Sequence, residues 1–208
     1  METYILYVCD TETTGFEVDK HEIIELSLIR VNLSDKTESQ KTWLIRALNP
    51  STISEEALKK NGHKREDILH QTDFGKKNYI APEKAIEEIE QWISLDMASA
   101  HDRIFAGQNP EFDFKHIEAL WKKYNAMDMF PFSTGINKLI IDTKQIAIFI
   151  DICMGFKREK YNLVSLVKDF GVKKGTAHRA EDDTRMTKDL LIKMISGLQP
   201  HIKDIFTK

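Results

Sequence analysis

Apolar and polar positions follow two rhythms along this chain, and the changes of rhythm mark its elements. Residues 4–9, Tyr-Ile-Leu-Tyr-Val-Cys, are apolar or aromatic and rich in β-formers, which predicts a buried strand. That run meets the polar stretch Asp10-Thr11-Glu12-Thr13-Thr14-Gly15. Residues 22–31 are strongly β-branched and predict a second strand. Ser34-Asp35-Lys36 reads as a polar turn, and residues 41–48, with Trp43 and Ile45, predict a third strand ended by Asn49-Pro50. Short turns between the three predict an antiparallel meander.

The rhythm then lengthens. Ser54 caps a short helix that Asn61-Gly62-His63 breaks. Residues 82–95 place Ile86, Ile89 and Ile93 on one face, joined by Ala85 and Trp92, and carry proline in the first turn, a helix. Strand–helix pairs follow. Residues 103–107 are a short strand, and Asn109 caps a helix with Pro110 at its first position and Phe114, Ile117, Leu120, Trp121 and Tyr124 on its core face. Residues 139–142 are another strand, leading into a helix through Ile146, Phe149, Ile150 and Cys153. Asn162 caps a helix closed by Gly171, and a last long helix covers about residues 177–195. A meander followed by alternating strands and helices predicts an α/β fold, a mixed sheet flanked by helices. No repeat, low-complexity tract or linker interrupts it, so one domain over residues 1–208 is expected.

Composition narrows the function classes. A chain with 41% hydrophobic and 30% charged residues has the balance of a soluble globular protein. A net charge of −3 argues against a basic coat for long duplexes, but not against holding a few phosphates through metal ions. No apolar run reaches membrane length and no signal-like leader is read, so a cytoplasmic protein without membrane contact is expected. Cys9 and Cys153 make neither a disulfide framework nor a zinc site, and Cys9 reads as a small buried hydrophobe.

Three acidic elements are candidate chemistry. Asp10 and Glu12 stand two residues apart on a strand, hence on one face. At ~4 Å and an effective dielectric of ~20, two such charges repel by roughly 4 kcal/mol, which a shared proton or a hard divalent cation, Mg²⁺ above all, would offset. A strand running into a polar Thr-Thr-Gly turn also accounts for the stretch. Asp113 falls in the first turn of its helix, where the dipole favours a carboxylate by ~0.3–1 kcal/mol, but its neighbours are Phe112 and Phe114 and its helix follows a buried strand, an edge where α/β sites are built. Asp183 lies five residues after His178 and shares a helical stripe with Met186, Leu190 and Met194. An inward aspartate on an apolar stripe needs a partner. Glu181 and Asp182 fall on other faces.

Asp10-x-Glu12-Thr13-Thr14-Gly15, Asn109-x-x-Phe112-Asp113 and His178-x-Ala180-x-x-Asp183 resemble, in order, the three motifs of the DEDDh (DnaQ-like) 3′–5′ exonuclease family. The resemblance covers nearly the whole chain and implies a ribonuclease-H-like fold. It also implies two divalent cations, Mg²⁺ or Mn²⁺, held by Asp10, Glu12, Asp113 and Asp183. Asp10 would contact both ions, Glu12 and Asp183 would lie on the nucleophile side, and Asp113 would support the second ion. His178 would be the general base, a role that suits an imidazole with its ordinary pKa of ~6.5. Nucleic acid 3′ ends are the implied partner, released as nucleoside 5′-monophosphates. Thr13, Thr14 and Gly15 through the backbone, Phe16 by stacking, and Asn109 are the implied substrate contacts, whereas Phe112 reads as core packing. Lys157, Arg158, Lys160, Lys173, Lys174 and Arg179 form a basic cluster that steers phosphates or is simply solvated. Arg at 179 excludes the branch with a tyrosine there, and the His178 spacing selects Asp183 over Asp182. Single-stranded DNA leads as substrate. RNA trimming, a subunit serving a DNA polymerase, and a non-catalytic binding module are the alternatives. His21, His63, His70, His101, His116 and His201 receive no role.

Overall fold

The β-branched and aromatic runs become a five-stranded mixed sheet, ordered β3-β2-β1-β4-β5, in a computed structural model that describes residues 4–33, 35–175 and 178–206, with side chains described as far as residue 198. The strands β1 (Ile5–Thr13), β2 (Ile23–Asn32) and β3 (Glu38–Leu44) form the antiparallel meander. Three short helices follow, α1 (Glu55–Asn61), α2 (Arg65–Ile68) and α3 (Asp73–Asn78), then α4 (Pro82–Ser94). Next come β4 (Arg103–Gly107), α5 (Pro110–Lys123), β5 (Ile140–Asp142), α6 (Thr143–Cys153), α7 (Leu163–Asp169) and α8 (Ala180–Phe206). Strands β4 and β5 extend the sheet in parallel with β1. This is the mixed-sheet α/β architecture that the sequence pattern predicts, and it is compatible with the ribonuclease-H-like fold that the resemblance implies.

Strand β1 is buried on both faces, and its alternation assigns each face to a layer. Ile5, Tyr7 and Cys9 pack with Ala85, Ile86, Ile89 and Ile93 of α4 and with Phe114, Ile117 and Trp121 of α5. Leu6 and Val8 point the other way, to Ile29, Val31 and Leu191 of α8. Asp10 and Glu12 continue the α8-facing set and Thr11 the α5-facing set. Between Glu12 and Thr13 the register with β2 shifts, so that Glu12 faces Glu25 while Thr13 faces Ile23. Such a bulge bends the pair and re-aims side chains at the strand end.

Local signals at helix ends mostly hold. The Ser54 side chain accepts from Ala57 N at 3.3 Å, and Gly62 closes α1 in the left-handed conformation (φ 73°). Asn162 accepts from Ser165 N at 2.9 Å. Three expectations are corrected. The third strand lies earlier, at Glu38–Leu44 rather than 41–48: its partner β2 fixes the pairing, and Ile45 instead bridges to Ile80. Asn109 precedes α5 but its side chain caps nothing; its backbone is left-handed (φ 60°) and its N–H donates to Asp142 Oδ1 at 3.1 Å. The last helix begins at Ala180, because His178 is left-handed (φ 65°) and outside it; Ala177, the expected start, lies outside the described residues.

Candidate active site

The parallel pair β1–β4 brings two strand ends side by side, and α5 starts immediately beyond β4. Asp113 in the first turn of α5 therefore meets β1. Thr11 donates to Asp113 Oδ1 twice, from its backbone N–H at 2.8 Å and from its hydroxyl at 2.7 Å. On the opposite face, α8 crosses β1 and β2 and delivers Asp183 in its first turn. There Asp183 continues the apolar stripe of Met186, Leu190 and Met194, all buried. Asp183 Oδ2 accepts the His178 N–H at 2.9 Å, while Oδ1 is buried with no hydrogen-bond partner. Glu12, His178 and Asp183 present ligand atoms within 4.8 Å of one another.

These groups line one cleft of about 280 Å³ with Asp10, Thr11, Phe16, Lys60, Gln108, Asn109, Phe112 and Asp113. A larger hollow of about 470 Å³, between the Val18–Ile23 segment and α5, holds none of the four acids, so size alone does not locate the chemistry. The acids crowd each other with little to neutralise them. Burial pushes the Asp10 carboxyl well above its ordinary range, and the charges of Asp113, Asp183 and Glu12 push the same way. Burial, then Asp183 and Glu25, raise Glu12 to about 7. Burial raises Asp113 to about 7 against the opposing hydrogen bonds from Thr11. Burial also raises Asp183, partly offset by the His178 N–H. Lys60 on α1 is the nearby cation, lowering Glu12 and Asp183, but it is exposed. A buried carboxylate oxygen without a partner, set among acids that all resist ionisation, fits the donor chemistry of a hard cation.

The structure brings Asp10, Glu12, Asp113, Asp183 and His178 together, along with Phe16 and Asn109. Thr13, Thr14 and Gly15 stay out of the cleft and hold the loop. The Thr13 hydroxyl donates to Gly15 O, Thr14 Oγ1 accepts the Glu22 N–H, and Asn61 Nδ2 and Ser54 N donate to the carbonyls of Thr13 and Thr14. A side chain at Gly15 would run into the His21 ring, 2.4 Å from an added Cβ. Phe16 is thereby pushed into solvent, 69% exposed, with Lys60 Nζ 5.9 Å above its ring and Phe112 edge-on at 6.4 Å. Phe112 is a half-exposed wall of the cleft rather than core. Of the basic cluster, Arg158 pairs with Asp151 and Asp169, and Arg179 with Glu25. Lys60, Thr11 and Gln108 were not singled out from the sequence. Thr11 had a signal, since it lies between the two acids on a strand end. Lys60 sits on a short polar helix like any surface lysine.

The exonuclease family model matches residues 7–191. The PolC-type DNA polymerase III of Staphylococcus haemolyticus is 29% identical over 202 residues, covering 95% of this chain and 12% of that protein; the Staphylococcus aureus enzyme is 28% identical over the same length. The chain thus spans about an eighth of these relatives. Among solved structures, Escherichia coli exonuclease I in complex with a dT13 oligonucleotide superposes with a TM-score of 0.73 at 15% identity, covering 98% of this chain and 43% of that one. A zinc-bound form of that enzyme with single-stranded DNA gives 0.74 at 17%, covering 99% and 43%. Cell-death related nuclease 4 gives 0.73 at 15%, covering 94% and 64%. Likeness at that identity speaks to the fold. Membership rests on the family match, which spans all three acidic elements: the chain belongs to the exonuclease family, whose members are metal-dependent nucleases.

Proposed function

We propose that this chain is a 3′–5′ exonuclease that removes nucleoside 5′-monophosphates from the 3′ end of single-stranded DNA, using two divalent cations, Mg²⁺ or Mn²⁺. One observation carries the reading: four carboxylates from three separate elements converge on an open cleft, one of them with a buried unpaired oxygen, beside an exposed histidine. Asp10, Glu12, Asp113 and Asp183 are the ligands. When bound, the cations neutralise charge on the phosphoryl oxygens and activate water for in-line attack. Asp183 positions His178 through its N–H, and the imidazole takes the proton of the attacking water. Thr11 orients Asp113 so that one carboxylate oxygen stays directed by two hydrogen bonds. Phe16 and Phe112 give the terminal bases an aromatic surface, and Lys60 gives the backbone a cation. Asn109 lies on the rim next to them. Thr13, Thr14 and Gly15 act by presenting Phe16. DNA is favoured because the similar relatives are named as DNA polymerases and the similar exonuclease I was solved with dT13. The test is degradation of 5′-labelled single-stranded DNA and a matched RNA with Mg²⁺, Mn²⁺ or EDTA, with Asp183→Asn alongside. A metal-dependent ladder shrinking from the 3′ end of DNA, lost in Asp183→Asn, is expected. A ladder on RNA alone would transfer the assignment to RNA trimming, and no ladder on either would refute it.

A further inference from the structure

Behind the cleft a second polar cluster crosses four segments of the fold and contains none of the proposed ligands. Glu25 of β2 is fully buried. Its Oε2 meets His63 Nε2 at 2.8 Å, and His63 Nδ1 meets the Tyr79 hydroxyl at 2.6 Å. His63 comes from the linker between α1 and α2, and Tyr79 from the end of α3. On its other side the same Oε2 lies 3.4 Å from Arg179 Nε. Burial alone would push the Glu25 carboxyl up, but the His63 hydrogen bond, Arg179 and the backbone N–H of Glu181 outweigh it and hold it below the usual range. Arg179 is the residue between His178 and the first residue of α8, and its carbonyl accepts the Asp183 N–H at 2.9 Å. His178 itself adopts a left-handed backbone (φ 65°), a strained conformation for a non-glycine residue that persists only where its surroundings enforce it. Its N–H is held by Asp183 Oδ2 on one side, and the next residue, Arg179, is held by Glu25 on the other.

We propose that Glu25 and His63 are positioning residues for the proposed reaction: the buried Glu25–His63 pair grips Arg179 and so fixes the left-handed turn that sets the His178 imidazole beside Glu12 and Asp183. The proposal rests on the exonuclease reading for the importance of that imidazole. Glu25 does not touch substrate in it; it acts through Arg179. The Tyr79 hydroxyl orients the His63 ring so that its other nitrogen faces Glu25, as outer partners orient histidines elsewhere. A burial-driven pairing of this kind explains why a carboxylate directly across the strand pair from Glu12 is not a fifth acid of the cleft.

The Arg179 side chain is 53% exposed, so Arg179→Met should fold, whereas Glu25→Gln or His63→Leu would disturb a buried pair, and Arg179→Met is the main test. Misplacing a reacting group by about 1 Å costs on the order of 10²-fold in rate. Arg179→Met is therefore expected to lower kcat on single-stranded DNA by roughly that factor, with KM within about two-fold, and Arg179→Lys is expected to recover part of it. In a His178→Ala background Arg179→Met should lower kcat no further, because both act on one group. A second readout needs neither metal nor turnover: in metal-free protein the ring resonance assigned to His178 by its loss in His178→Ala should shift or broaden in Arg179→Met. An unmoved resonance, or a full additive loss of kcat in the His178→Ala background, overturns the positioning role. An inactive wild-type enzyme with a moved resonance overturns the exonuclease reading and leaves the device standing.

Discussion

Replacing Glu12 by Gln should stabilise the metal-free protein while destroying its activity. In the folded chain Glu12 holds its proton up to about pH 7, because burial and the charges of Asp183 and Glu25 oppose ionisation; in the unfolded chain it releases it near 4.5. Between those values the folded state binds more protons than the unfolded one, so stability falls as pH rises through the window and levels off above it. The rise from 4.5 to about 7, at ~1.36 kcal/mol per pH unit, corresponds to roughly 3 kcal/mol. Gln is nearly isosteric with the protonated acid and never ionises. The variant should therefore match wild type near pH 4.5 and exceed it by up to roughly 3 kcal/mol at pH 8. For a chain of this size each kcal/mol moves Tm by roughly 2–4 °C. Thermal and urea melts in EDTA across pH 4.5–8, with wild type and Glu12→Gln side by side, read the effect, and the relief of Asp10 from the Glu12 charge in the variant adds to it in the same direction. Adding Mg²⁺ or Mn²⁺ at pH 8 should raise the wild-type Tm and largely spare the variant, because a ligand that binds only the folded state stabilises it by mass action. A variant less stable than wild type in EDTA at pH 8 would refute the reasoning, as the Glu12 carboxylate would then be a stabilising charge.

Other expectations follow from the same cleft. His178→Ala should cost roughly 10²–10⁴-fold in kcat, the range for a lost general base, while single-stranded DNA binding measured by anisotropy with Ca²⁺ stays within about two-fold; a near-normal rate would remove His178 from the mechanism. Phe16→Ala should lose roughly 1–3 kcal/mol of stacking, read as a rise of about five-fold or more in KM with Tm unchanged, since the ring is exposed. Lys60→Ala should raise KM and flatten the dependence of log KM on log salt by about 0.7, the contribution of one phosphate contact to a single strand; an unchanged slope would place Lys60 off the backbone path.

The chemistry of this site was legible where it obeyed a local period. Asp10 and Glu12 could be set on one face because strands alternate, and Asp183 could be turned inward because Met186, Leu190 and Met194 recur at helical spacing. Asp113 was legible from its helix start after a buried strand, although its hydrogen bonds to Thr11 depend on β1 and β4 being neighbours. What the sequence withheld depends on register and on positive φ. Glu25 sits inside a β-branched run, and only the pairing of β2 with β1 places it opposite Glu12. His63 meets it from 38 residues away, a separation no period encodes. Asn109 has the right identity for a cap, yet its left-handed backbone turns the N–H to Asp142. Helices α2 and α3 are four and six residues long, too short to display a period of 3.6.

Glu12 and Glu25 argue the site more sharply than the acid count does. They are the same residue type, directly opposed in an antiparallel pair, where like charges ordinarily destabilise. The fold treats them in opposite ways. Glu25 receives His63, Arg179 and the Glu181 N–H and is held below its usual range; Glu12 has only the exposed Lys60 to lower it and is raised to about 7. Had the chain merely tolerated two acids at a strand end, the cheapest arrangement would share the cations between them or expose both. Instead Arg179 and His63 meet the carboxylate away from the cleft, and the one in the cleft is left beside Asp183, whose Oδ1 has no hydrogen-bond partner. Pairs of titratable groups whose surroundings push them apart mark a division of roles. Glu25 keeps Oε1 buried without a hydrogen-bond partner, but its Oε2 is answered by His63 and Arg179, which fits the proposed structural role, whereas Glu12 has no such pair, which fits the proposed ligand role.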